Sequence, residues 1–293
     1  MSTQITTAFV EQYSANVSML SQQMGSKLRG AVDVETIRGK NAFFDQIGAT
    51  AAVARTTRHG NTPQVNTPHS RRRVSLSDFE WADLIDDLDK VRMLVDPTSS
   101  YAKAAAAAMN RTIDDQIIAA LGGAADTGVA GATSVALPSS SKFSTAQQTD
   151  GLTIAKLLET KFFFDNGSVD PSLKRYFVCG PKQIQDLLNT TEVKSADFNT
   201  IRALAQGEIN SFLGFEFIMS TRLDFDATNT DDRLCFGFTE DAIKLAIGAD
   251  VKAKISERDD KSYATQVYYC MDIGAVRMEE SKVVKIFCDE TPD

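Results

Sequence analysis

The chain has 293 residues, of which 43% are hydrophobic and 24% are charged, with a net charge of −8. This composition is typical of a globular protein and excludes a largely disordered chain. The acidic balance disfavours general binding of nucleic acid. No run approaches 18 apolar residues, so no membrane span is predicted.

The first 37 residues are interpreted as an arm. Five apolar side chains in the pattern of a short amphipathic helix are Phe9, Val10, Tyr13, Val17 and Leu20. This is too little apolar surface for an independent core, so the arm must pack on its own body or on a neighbour. Residues 1–7 carry no positive charge and no apolar run, so no signal peptide is expected.

A reversal of charge follows the arm. Residues 46–77 contain no acidic side chain and five arginines, which are Arg55, Arg58, Arg71, Arg72 and Arg73. Residues 78–89 contain no base and six acids, which are Asp78, Glu80, Asp83, Asp86, Asp87 and Asp89. The sequence shows no nearby partner within the chain for either half.

The same region predicts a long β-hairpin. Residues 49–57 form the first strand, residues 58–70 a loop rich in Gly, Asn, Thr and Pro, and residues 72–79 the returning strand. An isolated two-stranded hairpin is marginally stable in water, so this one needs a surface on which to lie.

A long helix is predicted over residues 96–121. Asp96 is a suitable N-cap, Pro97 takes the first helical position, and an apolar face includes Met109, Ile113 and Ile117. Shorter helices are predicted at residues 150–164 and 182–188. Strands are predicted at residues 174–179, 215–219, 233–238, 243–247, 251–256, 264–276 and 283–287. Helices followed by many strands indicate the α+β class.

The sequence contains few residues in patterns that are typical of catalytic sites. Its two histidines, His59 and His69, fall in the presumed hairpin loop, and no nucleophile elbow occurs. The four cysteines are far apart in apolar runs, which is typical of buried free thiols. An acidic run at residues 224–232 lacks the spacing of a calcium loop and is interpreted as a solvated turn. No catalytic, cofactor-binding or metal-binding residue is therefore predicted.

The arginine-rich hairpin has three interpretations. It could contact nucleic-acid phosphates, although no aromatic residue lies between Gly48 and Ser77 to stack on bases. It could be a solvated hairpin without a role. It could also be a docking arm that meets an acidic surface on another copy of the chain, which the residues favour.

Several strings of residues resemble one group of tailed-phage coat proteins. They are VEQYSANV at 10–17, GSKLR at 25–29, GKNAFFDQ at 39–46, RRR at 71–73, IDDLD at 85–89, SYA at 100–102 and RTIDDQI at 111–117. The chain is thus similar to major capsid proteins of the Hong Kong 97-type fold. The resemblance covers residues 8–131 in sequence, and the later half mainly in its order of elements.

The resemblance implies a division of the chain and a function. Residues 1–37 would be the N-terminal arm, 38–90 the extended loop with its flanks, 91–171 the peripheral domain with a spine helix at 96–121, 172–260 the axial domain, and 261–293 the C-terminal strands that return to the peripheral domain. The protein would not be an enzyme. Hexamers and pentamers of copies, assembled in the host bacterial cytoplasm, would form an icosahedral shell around double-stranded DNA, which they would contact weakly and without specificity.

Two departures from the family matter. Some relatives join subunits through a lysine in the extended loop, but no lysine lies between Lys40 and Lys90, so that crosslink is expected to be absent. The arm begins close to Met1, so a separate scaffolding protein is expected, together with a portal and with a cement protein as a further candidate partner.

Intersubunit contacts are predicted at nine residues: Arg55, Arg58, Arg71, Arg72, Arg73, Asp83, Asp86, Asp87 and Asp89. Two alternatives to the phage capsid remain at this point. One is an encapsulin-like bacterial compartment shell, and the other is a soluble enzyme with an unrecognised site.

Overall fold

A computed structural model of the chain describes residues 21–86, 98–143, 150–189 and 211–291. The predicted arm helix therefore lies outside the described residues. The strands are β1 (Asp33–Thr36), β2 (Asn41–Ile47), β3 (His69–Ser75), β4 (Ser77–Ile85), β5 (Ala125–Thr127), β6 (Thr133–Val135), β7 (Lys142–Phe143), β8 (Arg175–Cys179), β9 (Ser211–Phe212), β10 (Phe215–Met219), β11 (Asp232–Thr239), β12 (Ile243–Arg258), β13 (Ala264–Arg277) and β14 (Val283–Asp289). The helices are α1 (Thr98–Gly122), α2 (Ile154–Asn166) and α3 (Pro181–Asn189).

The long helix is confirmed from Thr98 onward, and it packs against the first sheet and the main core. Its predicted N-cap, Asp96, and first helical residue, Pro97, lie outside the described residues. At 25 residues, α1 is about 37 Å long at 1.5 Å per residue. Its side chains Met109, Ile113, Ile117 and Leu121 are at most 3% exposed and join the main core. Each fully buried side chain of this kind contributes about 1.5–3 kcal/mol. The helix ends where predicted, at the two glycines that follow Leu121.

The first sheet packs against this helix and has the order β1-β12-β13-β4. β12 and β13 form a long antiparallel ribbon with register shifts between Ile247 and Lys252. The sequence predicts two separate strands at residues 243–247 and 251–256, and the structure joins them into β12 across this irregularity. On the side facing α1, the sheet presents Phe79, Trp81 and Tyr269 to the main core.

The second sheet has six strands in the order β7-β14-β11-β8-β10-β9. All five residues of β8 are buried, as expected for a strand covered on both faces. α2 covers part of this sheet, with Phe164 fully buried and its ring centroid 6.1 Å from that of Phe215. Thr153 is the N-cap of this helix, and its side chain accepts a hydrogen bond from the Lys156 amide.

The third sheet contains the predicted hairpin, but with a different first strand. β2 at Asn41–Ile47 pairs with β3, residues 48–68 contain no strand, and β5 and β6 extend the sheet beyond β3. The predicted strand at residues 49–57 is wrong because Val53 is its one bulky apolar side chain. β2 instead turns Ala42 and the buried Phe44 toward Val74 and Leu76.

The returning strand is also divided. β3 ends at Ser75 in the hairpin sheet, and β4 begins at Ser77 in the first sheet, so the chain changes sheets at Leu76. The acidic stretch therefore lies on β4, beside β13, and does not extend the hairpin.

The proposed domain division remains a prediction. β12 and β13 pair with each other across residue 260, and β14 joins the sheet of β8 and β11. Both pairings cross the boundary placed between residues 260 and 261.

Among the helices that the structure describes, none has the length and the apolar composition of a membrane span.

Candidate functional site

The loop between β2 and β3 is the most exposed part of the predicted interface. Every residue from 48 to 68 is exposed, including Arg55 and Arg58. The Arg55 guanidinium donates a hydrogen bond to the Thr57 carbonyl oxygen at 2.9 Å. Within the described ranges, neither arginine forms an ion pair with a carboxylate. Both charges are therefore available to a partner outside this chain.

Arg71 lies on the exposed side of β3. Its Nε donates to Asp45 on the neighbouring strand at 3.0 Å, and its guanidinium stands 5.4 Å from the centre of the Phe43 ring. Both side chains of the ion pair are more than one-third exposed. Such a pair contributes about 0–1 kcal/mol.

Arg72 points the other way and is buried. Its Nη2 lies 2.7 Å from both carboxylate oxygens of Glu280, and its Nε donates to the Met278 carbonyl oxygen at 3.0 Å. The Arg72 side chain is 9% exposed and that of Glu280 23%. This contact joins the hairpin to the segment between β13 and β14.

Arg73 links two neighbouring strands of the third sheet, β3 and β5. Its Nη2 donates to Asp126 on β5 at 2.5 Å. The side chain crosses Gly131, where a Cβ would lie 2.5 Å from the Arg73 Cδ, and the φ of Gly131 is +64°. A glycine is required here for both reasons.

The arginine triplet therefore has partners within the chain, contrary to the expectation from sequence. Asp45, Glu280 and Asp126 are distant in sequence, and the fold brings them to Arg71, Arg72 and Arg73. The intersubunit role predicted for these arginines remains a prediction.

The acidic stretch is placed on β4 and just after it. Asp83 accepts a hydrogen bond from the Leu84 amide, and Asp86 closes the described segment, so Asp87 and Asp89 lie outside the described residues. Glu80 accepts a hydrogen bond from the Tyr268 hydroxyl at 2.8 Å, which raises the pKa of that tyrosine. Arg71, Arg72 and Arg73 pair with carboxylates elsewhere, so the two halves of the charge reversal diverge in the fold.

A buried carboxylate on the spine helix is missed by sequence reasoning. Asp114 falls mostly off the apolar face in the sequence pattern, yet it is fully buried. It accepts hydrogen bonds from the Gln23 side chain, the Ser26 hydroxyl and the amides of Lys27 and Leu28. An aspartate inside a helix is intrinsically unfavourable, which is the available signal for a tertiary partner.

A second missed residue is Arg277, which is 1% exposed. It donates to the carbonyl oxygens of Leu121, Gly123 and Val135 at 2.6–3.2 Å. Burial lowers its pKa. The guanidinium thus satisfies free carbonyls at the C-terminal end of α1.

Three of the four cysteines are buried in the second sheet. Cys179, Cys235 and Cys288 are buried free thiols on β8, β11 and β14, and burial raises the pKa of Cys179 to about 12. A thiol with a raised pKa is a poor nucleophile at neutral pH. Across the residues that the structure describes, no group of three His, Cys, Asp or Glu side chains is arranged to hold a metal ion.

A partly exposed aromatic run lies on α2. Phe164 is buried and Phe163 packs against the core, whereas Phe162 is 70% exposed. Two of the three phenylalanines therefore contribute to the core.

Comparison with known proteins gives a match along nearly the whole chain. The family model described as "Phage capsid protein" matches residues 5–290. No curated protein sequence matches the chain.

Several solved phage structures share the fold. The capsid structure of cyanophage P-SCSP1u has a TM-score of 0.71 and 17% identity, covering 98% of this chain and 95% of the other. The structure from Mycobacterium phage Che8 has a TM-score of 0.67 and 15% identity, covering 94% and 96%. The head structure of Helicobacter pylori bacteriophage KHP40 has a TM-score of 0.70 and 10% identity, covering 97% of both chains. The predicted α+β, Hong Kong 97-like fold is confirmed.

Proposed function

The chain belongs to the phage capsid protein family, and we propose that it is the major capsid protein whose copies form the closed shell of a tailed phage. The observation that carries the proposal is the family match, which extends over residues 5–290. The fold supports it along the same length, because similar phage capsid structures cover 98% of the chain.

The proposed partners are first of all other copies of the chain, arranged as hexamers and pentamers of an icosahedral shell. A scaffolding protein, a portal and a cement protein are further proposed partners, and packaged DNA is contacted weakly and without specificity. Assembly takes place in the host cytoplasm. The role is structural and involves no catalysis.

The exposed loop is the part of the chain proposed to reach a neighbouring subunit. Residues 48–68 are exposed along their whole length and carry Arg55 and Arg58 with no acidic residue. The acidic side chains Asp83, Asp86, Asp87 and Asp89 form a candidate surface for them. The loop also contains no lysine, so the proposed contact is noncovalent and electrostatic.

Electron microscopy of the expressed chain tests the function. We expect closed shells of uniform size when the chain is produced together with the assembly proteins of its phage. A monomer or dimer at high concentration under the same conditions would contradict the proposal.

A pair of variants tests the loop. Arg55→Glu with Arg58→Glu reverses two exposed charges without breaking an ion pair within the described residues. The variant monomer should therefore keep its fold but fail to assemble into closed shells. Arg38→Glu with Lys40→Glu is the matched control, because both side chains are exposed and precede β2, outside residues 48–68. Circular dichroism checks folding and sedimentation measures shells. Equal shell yields from the two variants would refute the role of the loop.

An encapsulin-like compartment shell is not favoured, because the family that matches is that of phage capsid proteins. Shells loaded with a cargo enzyme and assembled without a portal would be the contrary result.

A further inference from the structure

The first sheet ends in two strand edges that have no partner strand in the described part of the chain. β12 pairs with β1 only over Lys244–Ile247, so its outer edge is open from Ala249 to Arg258. β4 pairs with β13 on one side, and no described strand lies on its other side. Open edges present unpaired backbone donors and acceptors, which makes them sites for pairing with another chain.

The two edges carry opposite charges on the same face of the sheet. Lys252 pairs with Cys270 of β13, which in turn pairs with Glu80 of β4, so these side chains share one face. Lys254 lies two residues after Lys252, and Asp78 lies two residues before Glu80, so both share this face. All four charged side chains are exposed. The spacing of two residues is the same on both edges.

The acidic edge also contains an uncompensated repulsion. Asp78 stands directly opposite Asp272 of β13, and the residue opposite Asp272 on β12 is Ala249. Like charges in directly opposed positions destabilise a sheet. Burial raises the pKa of Asp272, and the charge of Asp78 raises it further. A cation placed beside Asp78 from outside the chain would relieve this repulsion.

We propose that β4 of one copy pairs with β12 of the next copy, so that the first sheets of neighbouring subunits continue as one sheet. β4 and β12 are both antiparallel to β13 and are therefore parallel to each other, and continuing the sheet preserves that direction. In the register that places Lys252 beside Asp78, Lys254 lies beside Glu80.

The opposite face of the sheet fits the same register. Ala253 then lies beside Phe79, and Ile255, which is 56% exposed in the single chain, lies beside Trp81. An apolar side chain that is exposed at an open edge is thereby covered by a partly buried aromatic ring. Charge on one face and apolar contact on the other together select one register.

Such a contact joins two different surfaces of neighbouring copies. The two surfaces are different, so the interface is head-to-tail, and repeated head-to-tail contacts generate a ring when the rotation closes. The inference rests on the proposed shell function and deepens it by naming the surfaces of one intersubunit contact.

Charge exchange is the first test. Lys252→Glu with Lys254→Glu should abolish shells, and Asp78→Lys with Glu80→Lys should do the same, because each places like charges across the contact. The variant that carries all four substitutions should recover shells. Lys161→Glu with Lys174→Glu, both away from the two edges, is the control and should assemble like the wild type. Failure of recovery in a folded four-substitution variant would count against the contact.

Disulfide formation between β4 of one copy and β12 of the next tests the contact directly. In a Cys270→Ser background, Asp78→Cys with Lys252→Cys should give a ladder of covalently joined chains on oxidation of assembled shells. Within one chain the two positions are separated by two strand spacings and by two residues along the strand, so they are more than about 9.5 Å apart, which is beyond the separation of about 7 Å that a disulfide can bridge. Asp78→Cys with Lys174→Cys is the matched control and should give no ladder.

The outcomes separate the two levels of the proposal. Shells without a ladder, or an equal ladder from the control, would overturn the edge contact and leave the shell function standing. Absence of shells from the unsubstituted chain with its assembly proteins would overturn the shell function itself.

Discussion

Arg72 and its neighbours show how three adjacent residues of one type take different roles. β3 sends Arg71 and Arg73 to one side and Arg72 to the other. Arg71 forms an exposed pair with Asp45, while Arg72 forms a largely buried pair in which its Nη2 contacts both carboxylate oxygens of Glu280. A triple substitution of Arg71, Arg72 and Arg73 by glutamate would thus disrupt the monomer as well as any interface. The loop arginines Arg55 and Arg58 give a cleaner test of assembly.

We expect Arg72→Ala to lower the free energy of unfolding by about 3 kcal/mol, since it removes the closer cation from the partly buried Glu280 carboxylate and leaves only Arg277 at 3.7 Å. Arg71→Ala is the control and should cost at most about 1 kcal/mol. Urea denaturation of the two monomeric variants measures both values. Equal losses would show that burial of the Arg72 pair does not matter.

Asp114 is predicted to hold the segment at residues 23–28 on the spine helix. Asp114→Asn replaces a charged acceptor of several N–H and O–H donors, and hydrogen bonds to charged groups contribute about 1.5–3 kcal/mol each. We expect faster hydrogen exchange at the amides of Lys27 and Leu28. Asp115→Asn, which removes the ion pair with Arg222 and leaves these amides alone, should not accelerate their exchange.

At the scale of elements, the third sheet depends on the turn between β5 and β6. Gly131 has a φ of +64° and lies under the Arg73 side chain, which reaches Asp126 on β5. The contact beside this turn therefore joins β3 of the hairpin to β5, the strand that follows the spine helix α1. A Cβ at residue 131 would strain the left-handed backbone and would also clash with the Arg73 side chain.

Gly131→Ala should destabilise the protein by at least about 1 kcal/mol, which is the cost of a left-handed residue with a Cβ. It should also displace Arg73 from Asp126. Gly30→Ala is the control, because a Cβ there has no atom within 4 Å and the backbone is not left-handed; its effect should stay within about 0.5 kcal/mol. Thermal denaturation distinguishes the two variants.

At the scale of the whole molecule, one buried carboxyl group ties stability to pH. Asp232 is fully buried at the start of β11. Burial raises its pKa, the side chain of Asn229 lowers it, and the nearby charges of Asp289 and Asp226 raise it further, with a net increase. Because the folded pKa lies above the unfolded value, the stability from this group is fully present at pH below the unfolded pKa and is lost as pH rises through the folded pKa.

Asp232→Asn should therefore raise the melting temperature of the monomer at pH 7 relative to the wild type. The difference should shrink as pH falls through the folded pKa toward the ordinary aspartate value, where the wild-type carboxyl is also neutral. Calorimetry from neutral pH down to the ordinary aspartate pKa of about 4 measures the difference. An unchanged difference across this range would contradict the assignment to Asp232.

Assembly through charged surfaces should also weaken with salt. The screening length falls from about 10 Å at 0.1 M to about 3 Å at 1 M ionic strength. We expect the initial rate of shell formation, followed by light scattering, to fall over this range. The chain contains no lysine between Lys40 and Lys90 that could replace the lost attraction by a crosslink.

Local patterns in the sequence are enough to predict the long helix, the strands after residue 174 and the α+β class, because apolar periodicity and terminating glycines are local properties. The charge reversal at residues 77 and 78 is also visible in the sequence. Its meaning depends on the tertiary structure, since Asp45, Glu280 and Asp126 come from three distant segments to the arginine triplet. The predicted first strand of the hairpin, at residues 49–57, is misplaced because this Ala- and Thr-rich stretch has no apolar side to bury. Burial of Asp114 and the open edges of β4 and β12 depend on which elements are neighbours in space, which no local pattern encodes.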